Sequence, residues 1–410
     1  MKVLLLAMFL PPDTGGERGW YMAKSLSKRG HKVIAVTNLQ HHIKSFKLKP
    51  WSYRDGVLVV RRPMINAGYK GFWRRLVMFT SFALSTIPFL IKIGKHVDVI
   101  ISRGPHPFLD APSLLYFRII GKPMVLDVTD LWPESLLVYL GAKEGLLRML
   151  IFAGKLINKF LFRTSSAVIT HTLGLARYFL RMYKPRKLKV IRGVIDIRLF
   201  RPVSREEAVK AIRDRSLLEV TASRSLLTFY AGTIGPFQDI RRILYVAEKL
   251  KECEFIILGE GEERPILEAE CERKGLRNIR FMGLVPHDKV PYYLSLADIC
   301  LLPLLNTSFL KISLPKKMLE YMACGKPIIY LGPHSEASTL IEKWGIGFVT
   351  SSTEELYAVL RELIKDKSCL RTMGEKARTV AEKLFTEEHV GERLERVLNE
   401  VLKETHSPIT

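Results

Sequence analysis

The sequence predicts an α/β protein made of two doubly wound parallel sheets, and three observations carry that expectation. Short apolar runs of strand length alternate with helical stretches from the first residue onward. The alternation pauses in a polar, charged stretch, Pro202 to Arg224, and then starts again. In each half the first apolar run leads into a glycine-bearing loop, Pro11-Pro12-Asp13-Thr14-Gly15-Gly16 in one and Ala231-Gly232-Thr233-Ile234-Gly235 in the other. Apolar strands separated by helices imply a parallel sheet covered on both faces.

The first half opens with a strand at Lys2–Ala7. Its apolar run is too short for a secretory signal, and Pro11-Pro12-Asp13 followed by Gly15-Gly16 reads as the loop after that strand. A helix runs from about Glu17 to Arg29, Gly30 ends it, and Lys32–Thr37 is the next strand. Further strand candidates are Val57–Val60, Asp98–Ile101, Pro123–Asp127, Ala167–Thr170 and Lys187–Ile191. The second half contributes Leu226–Tyr230, a helix from about Gln238 to Leu250, then Glu254–Leu258 ending in Gly259-Glu260-Gly261. Strands at Ile279–Phe281, Ile299–Leu302, Pro327–Tyr330 and Gly347–Thr350 follow, and the last thirty residues read as helix. This gives residues 1–190 as one domain, 191–380 as a second, and 381–410 as a helical segment returning to the first.

Charge separates the halves. Residues 1–190 hold 31 Lys/Arg against 9 Asp/Glu, and residues 191–410 hold 33 against 32, so nearly all of the net +23 lies in the first domain. A basic domain meets nucleic acid, anionic lipid or phosphorylated substrates. Two segments favour lipid. Leu76 to Ile91 is uncharged, flanked by Arg74-Arg75 and by Lys92 and Lys95, and broken by Pro88, so it reads as an interfacial rather than a spanning segment. Leu146 to Phe162 mixes long apolar side chains with Arg148, Lys155 and Lys159 on about one helical face. Core helices covering a sheet are the other reading. No zinc-finger spacing or RNA-binding motif supports nucleic acid as a partner. The five cysteines, Cys253, Cys271, Cys300, Cys324 and Cys369, show no CxxC and fit a reducing compartment. No His/Cys cluster points to a metal.

Four motifs carry candidate chemistry. Gly15 and Gly16 let backbone approach an anion at a helix start, although a tight turn explains the same letters and GxGxxG is absent. Asp127-Val128-Thr129-Asp130-Leu131-Trp132-Pro133-Glu134-Ser135 puts three carboxylates and a tryptophan at a strand exit. Asp130 or Glu134 is placed to orient or deprotonate an acceptor hydroxyl, and Trp132 to stack on a sugar or to close the loop. Gly232 with Gly235, and Gly259 with Gly261, follow strands where backbone N–H groups line phosphate sites, or where turns simply need glycine. In Ser313–Tyr330, SLPKKMLEYMACGKPIIY, a basic turn enters a short helix bearing Lys316, Lys317 and Glu320. A cation there stabilises a departing diphosphate, and Glu320 accepts from ribose hydroxyls; a surface ion pair is the plainer reading. His106 and His171 are isolated histidines open to polar roles.

Taken in order, PPDTGG at 11–16, DLWPES at 130–135, VIRGVIDIRLF at 190–200, YAGTIG at 230–235, ILGEGEE at 257–263, IRFMGLVP at 279–286 and LPKKMLEYMACGKPI at 314–328 resemble the retaining glycosyltransferases of family 4, group 1. DLWPES with KMLEYMACGKP looks most like the branch that transfers N-acetylated hexosamines or N-acetylfucosamine. The resemblance implies a GT-B fold: two facing Rossmann-like domains, a deep cleft between them, and a C-terminal return helix. It implies a UDP-linked nucleotide-sugar donor, no metal or other cofactor, and retention by front-face attack. Glu320 would hold the ribose, Lys317 the diphosphate, and Gly16 would approach the donor phosphates. The acceptor would be a glycan or a polyprenyl-phosphate-linked sugar, met at the cytoplasmic face of an anionic membrane. Three positions depart from the family pattern. Ile312 stands in place of the first of two glutamates, Thr233 and Gln238 stand near an expected Arg and Lys, and Thr129 or Asp130 stands at an expected histidine. The competing readings are a nucleotide-sugar epimerase or hydrolase, and an inactive membrane-bound scaffold.

Overall fold

A computed structural model describes residues 1–11, 16–39, 49–67, 72–104, 107–133, 145–212, 214, 217–219, 225–307 and 310–406. The chain divides into two compact units, Met1–Val194 with Glu387–Thr410, and Ile195–Thr386. The first boundary lies four residues beyond the expected 190. The second lies at 386/387 rather than 380/381, because helix Ser368–Leu384 packs on helix Lys316–Ala323 and so belongs to the second unit.

In the first unit the strands are β1 (Lys2–Ala7), β2 (Lys32–Asn38), β3 (Trp51–Arg54), β4 (Val57–Arg62), β5 (Val99–Gly104), β6 (Met124–Val128), β7 (Ala167–Thr170) and β8 (Leu188–Val190). They form one sheet in the order β3-β4-β2-β1-β5-β6-β7-β8, parallel except for β3. The sequence reading lacks β3 because Trp51, Ser52, Tyr53 and Arg54 have no buried face to betray it; only Ser52 is even half-buried. The helices are α1 (Glu17–Lys28), α2 (Phe72–Ile93), α3 (Pro107–Ile119), α4 (Gly145–Thr164) and α5 (Leu173–Met182). β1 leads left to β2 through α1, whereas α2, α3 and α4 each lead rightward to the next strand. Right-handed crossovers therefore put α2, α3 and α4 together on one face of the sheet and α1 on the other. The C-terminal helix, Glu387–His406, packs on α1, with Val390, Leu394, Val397, Leu398 and Val401 buried beside Trp20, Ala23 and Leu26.

The second unit has six strands among its described residues, β9 (Leu226–Ala231), β10 (Cys253–Leu258), β11 (Ile279–Gly283), β12 (Ile299–Pro303), β13 (Ile328–Leu331) and β14 (Gly347–Thr350). Their order, β11-β10-β9-β12-β13-β14, is all parallel and reverses direction beside β9. This is the dinucleotide-fold order, whose ligands sit beyond the carboxyl ends of the strands at the reversal point. β9, β10 and β12 are buried along nearly their whole length, as strands covered by helices on both sides must be.

Candidate active site

Each unit gathers its candidate residues at the carboxyl edge of its own sheet. In the second unit α6 (Arg205–Ala211), α7 (Arg241–Lys249), α8 (Arg264–Arg273), α9 (Val290–Leu296) and α10 (Lys316–Ala323) are followed by helices Glu336–Trp344, Thr353–Lys365 and Ser368–Leu384. Pro315 is the N-cap of α10, in extended conformation, and its carbonyl accepts from Met318 N–H to open the first turn. Tyr321 fastens α10 beneath the end of β9. Its hydroxyl accepts from Ala231 N–H at 2.8 Å and lies 3.2 Å from Ala231 O, to which it donates.

That anchoring carries Lys317 over the first loop of the unit. Lys317 Nζ donates to the Tyr230 hydroxyl at 2.5 Å and lies 4.2 Å from the centre of that ring. The Tyr230 hydroxyl in turn donates to Thr233 O. Burial strips water from the ammonium and lowers its pKa to about 7, with the Glu320 charge opposing weakly. Lys316 and Lys317 both sit in the first turn of α10, where the helix dipole is already positive and the turn itself holds no acidic residue. Two lysines against a positive helix end raise the local positive potential, which an ordinary helix start avoids.

Glu320 is 8% exposed. Sequence spacing pairs it with Lys317, but its Oε1 lies 3.0 Å from His287 Nε2 and 3.4 Å from Lys316 Nζ. Lys317 turns instead to Tyr230, because at i,i+3 its long side chain points back into the β9 loop. Burial pushes the Glu320 carboxyl up, and the His287 and Lys316 contacts outweigh it, so the group stays ionised below its ordinary range. His287 follows β11 in Leu284-Val285-Pro286-His287, and its ring packs on Phe200 at 5.0 Å. Sequence reasoning missed it, although a histidine just past a strand exit was the available signal. Ile312 ends a short 3₁₀ turn, Leu310–Ile312, before α10. Lys326 donates to Ser295 O and Ala297 O and so caps α9, a structural duty.

The glycine loops need correcting. Gly232 N–H donates to Leu258 O and Gly259 N–H to Gly283 O, so these two amides are bound within the fold and do not line a phosphate pocket. A Cβ at Gly259 would lie 1.9 Å from Gly232 O. Backbone crowding between the loops after β9 and β10 therefore accounts for that glycine. Gly261 is crowded in the same way by Ile234 O, whereas Gly235 stands in open contact distance of Gln238 and Thr233. Gly232 differs: with φ at +148°, its missing Cβ would lie 2.8 Å from Lys317 Nζ. It leaves room for the lysine.

In the first unit the edge is built around Asp127 at the end of β6. The carboxylate is fully buried and accepts from Arg18 Nε at 3.0 Å and Arg18 Nη2 at 2.8 Å, with Arg103 Nε at 3.5 Å. Burial would raise its pKa, but Arg18 and then Arg103 hold it below the usual carboxylate range. Arg18 also donates to Ile191 O and Arg192 O, tying the first turn of α1 to the chain beyond β8. Neither arginine stood out in the sequence, because each lies inside an otherwise ordinary element. His171 beside them is pushed down to about 3, first by burial and then by Arg18, and is neutral.

Asp130 follows on the loop. Its side chain reaches solvent, yet desolvation raises its pKa, and Arg103 only partly offsets that. Trp132 is half-buried and closes the loop. Its ring lies against α4, where a Cβ at Gly154 would meet Trp132 Cη2 at 3.2 Å, and Asn158 donates to Trp132 O. Gly16 is held by the backbone of Leu10, 2.5 Å from where its Cβ would stand. Gly15, Glu134 and His106 lie outside the described residues. Arg74 and Arg75 lie in the first turn of α2, and Lys92 and Lys95 at and just past its other end. No three His, Cys, Asp or Glu side chains converge as a metal site among the described residues.

Residues 228–366 match the family described as glycosyl transferases group 1. The matched residues lie wholly within the second unit. The chain is also similar to a putative colanic acid biosynthesis glycosyl transferase, WcaI, of Escherichia coli, at 24% identity over 98% of this chain and all of that protein. It is 23% identical to a phosphatidylinositol N-acetylglucosaminyltransferase subunit of Homo sapiens, over 100% of this chain and 78% of that protein. Among solved structures, sucrose-phosphate synthase from Thermosynechococcus elongatus superposes with a TM-score of 0.73 at 16% identity, covering 98% of this chain and 99% of that one. Anabaena Alr3699/HepE, solved in complex with UDP, gives 0.73 at 16%, covering 98% and 100%. These likenesses establish the fold: two Rossmann-like α/β domains with a C-terminal helix, the GT-B architecture.

Proposed function

We propose that this chain is a retaining glycosyltransferase that moves a sugar from a UDP-sugar to a hydroxyl of a glycan or lipid-linked acceptor. The observation that carries the reading is the cation pair at the start of α10, at the reversal point of the second sheet. Lys317 is desolvated over Tyr230, and Glu320 stands ionised one turn on. Lys317 stabilises charge on the β-phosphate as the bond to C1 of the sugar breaks. Lys316 adds to the same field. Glu320 accepts from the ribose hydroxyls, with His287 fixing its carboxylate. In front-face transfer the acceptor oxygen bonds to C1 on the side the diphosphate leaves, and the acceptor proton passes to the departing phosphate oxygen. Asp130 has a raised pKa and orients the acceptor hydroxyl. Glu134 is its alternate in the same segment.

Several relatives support an N-acetylated hexosamine or deoxyhexosamine as the sugar. Besides the human N-acetylglucosaminyltransferase subunit, 135 residues align at 28% identity with 2-deoxystreptamine N-acetyl-D-glucosaminyltransferase of Streptomyces fradiae. WcaI and the Bacillus subtilis protein TuaH, a putative teichuronic acid biosynthesis glycosyltransferase, support cell-surface glycans as products. UDP in the HepE structures supports the nucleotide.

The test is a screen of labelled UDP-, GDP- and dTDP-sugars against native membrane lipid extract. Labelled lipid from a UDP-sugar is the expected product. Free sugar released without acceptor favours a hydrolase and an isomerised donor an epimerase. UDP binding without turnover of any donor favours an inactive scaffold.

A further inference from the structure

We infer that the outer face of α2, α3 and α4 is a docking surface for an anionic lipid bilayer, with the three helices lying in the plane of the interface. The inference is independent of the transfer reaction. α2 packs on α3 and α3 on α4, all on one side of the first sheet. Each presents an apolar stripe outward at helical spacing. On α2 these are Trp73, Val77, Leu84 and Ile91, with Leu84 75% exposed. On α3 they are Phe108, Leu115 and Ile119, the last 83% exposed. On α4 they are Met149, Phe152, Leu156 and Phe160, with Met149 70% exposed. Scattered exposed apolar residues need no explanation, but three parallel stripes on adjacent helices form a continuous patch of a kind soluble monomers rarely carry.

Charge identifies the occupant. The three helices and the turn after α2 carry Arg74, Arg75, Lys92, Lys95, Arg118, Lys155, Lys159 and Arg163. Their one acidic residue is Asp110, which is fully buried and accepts from Ser102. An apolar face ringed by cations, with no exposed acid, matches anionic headgroups over acyl chains. Long Lys and Arg stems reach from such a face to the headgroup level. Pairing with a second copy would set two cationic rims against each other.

The same packing fixes the orientation. Trp73–His96 spans 24 residues and contains an 18-residue stretch with a mean hydropathy of 1.8, long and apolar enough to cross a bilayer. Its inner side, however, seals the first unit. Met78, Phe82, Ala83 and Leu90 are buried, Arg62 holds Ser85 O at 2.6 Å, Ser85 Oγ holds Pro63 O, and Tyr116 OH holds Ile91 O. Lipid therefore meets one side of the helix only. The notable member is α3, whose three stripe residues were hidden in the sequence by Asp110 and Pro112 and become a surface only beside α2 and α4.

The test is co-sedimentation of the full chain with phosphatidylcholine vesicles containing or lacking phosphatidylglycerol. Binding is expected with phosphatidylglycerol and should weaken with salt. Leu84→Glu, Ile119→Glu and Phe152→Glu, one on each helix and all at exposed positions, should each lower partitioning at least tenfold. Leu284→Glu, equally exposed on the second unit, should leave it unchanged. Circular dichroism and retained UDP binding confirm folding. Alkaline carbonate should release the bound protein. The inference is overturned if wild type ignores the anionic vesicles, if Ile119→Glu binds as wild type does, or if carbonate fails to extract the protein. A solution dimer dissolved by Ile119→Glu would overturn it in favour of self-association, and capture of an acidic protein with no vesicle binding would do so in favour of a protein partner.

Discussion

Binding of UDP should draw a proton onto Lys317. The free ammonium titrates at about 7 because burial denies it water. At pH 8 a group with that pKa is only ~10% charged. A diphosphate against Nζ supplies the missing counter-charge and returns the amine to the lysine range, so binding at pH 8 should take up ~0.9 proton, falling to ~0.1 at pH 6. Isothermal titration calorimetry in HEPES and in Tris reads that number from the dependence of the observed heat on buffer ionisation enthalpy. Lys317→Met should bring the uptake close to zero. It should also weaken UDP binding ~10–100-fold, the equivalent of losing one charge-assisted hydrogen bond. The same shift fixes a stability trend. A lysine whose folded pKa lies below its unfolded value holds fewer protons when folded, so stability should rise as pH climbs from about 7 towards 10.5. Lys317→Met should flatten that rise. Wild-type uptake near zero at pH 8, or equal uptake in Lys317→Met, would refute the reasoning.

Other perturbations separate the parts of the site. Glu320→Gln should raise the donor KM ~10–100-fold with little change in kcat, as loss of uniform ribose binding requires. Its thermal melt should stay near wild type, since the partner His287 is half-exposed and tolerates losing the contact. Gly232→Ala places a methyl 2.8 Å from Lys317 Nζ, at a φ of +148° that costs ~1–3 kcal/mol for a residue with a side chain. It should displace the lysine, and UDP titrations should show both weaker binding and a smaller proton uptake. Asp127→Asn leaves Arg18 buried beside a neutral amide. Urea unfolding should show a loss of ~3–5 kcal/mol, the cost of breaking a buried pair from one side.

Much of the fold was legible because burial on both faces leaves a plain mark. β1, β6, β9, β12 and β13 are apolar along nearly their whole length, and the restart after Pro202–Arg224 marks the second sheet. β3 was illegible for the opposite reason, being an exposed edge strand. The second boundary was misplaced because helix continues through it, and only the packing of Ser368–Leu384 on α10 assigns those residues.

For the candidate site, the amino-acid order alone puts Lys316, Lys317 and Glu320 on the short helix after β12, since spacing along a helix is a local property. Which partner each side chain takes depends on the folded chain. Lys317 finds Tyr230 and Glu320 finds His287, residues 87 and 33 positions away in the chain. Likewise Asp127 was visible at its strand exit, whereas Arg18, 109 residues earlier, became its partner only when α1 folded onto the sheet. The glycines show the same division. Composition places them in loops, but only the crossing of two backbones separates those that give way to a neighbouring peptide, such as Gly259, from Gly232, which gives way to a lysine. Contacts of this kind join residues far apart in sequence, so no local pattern records them.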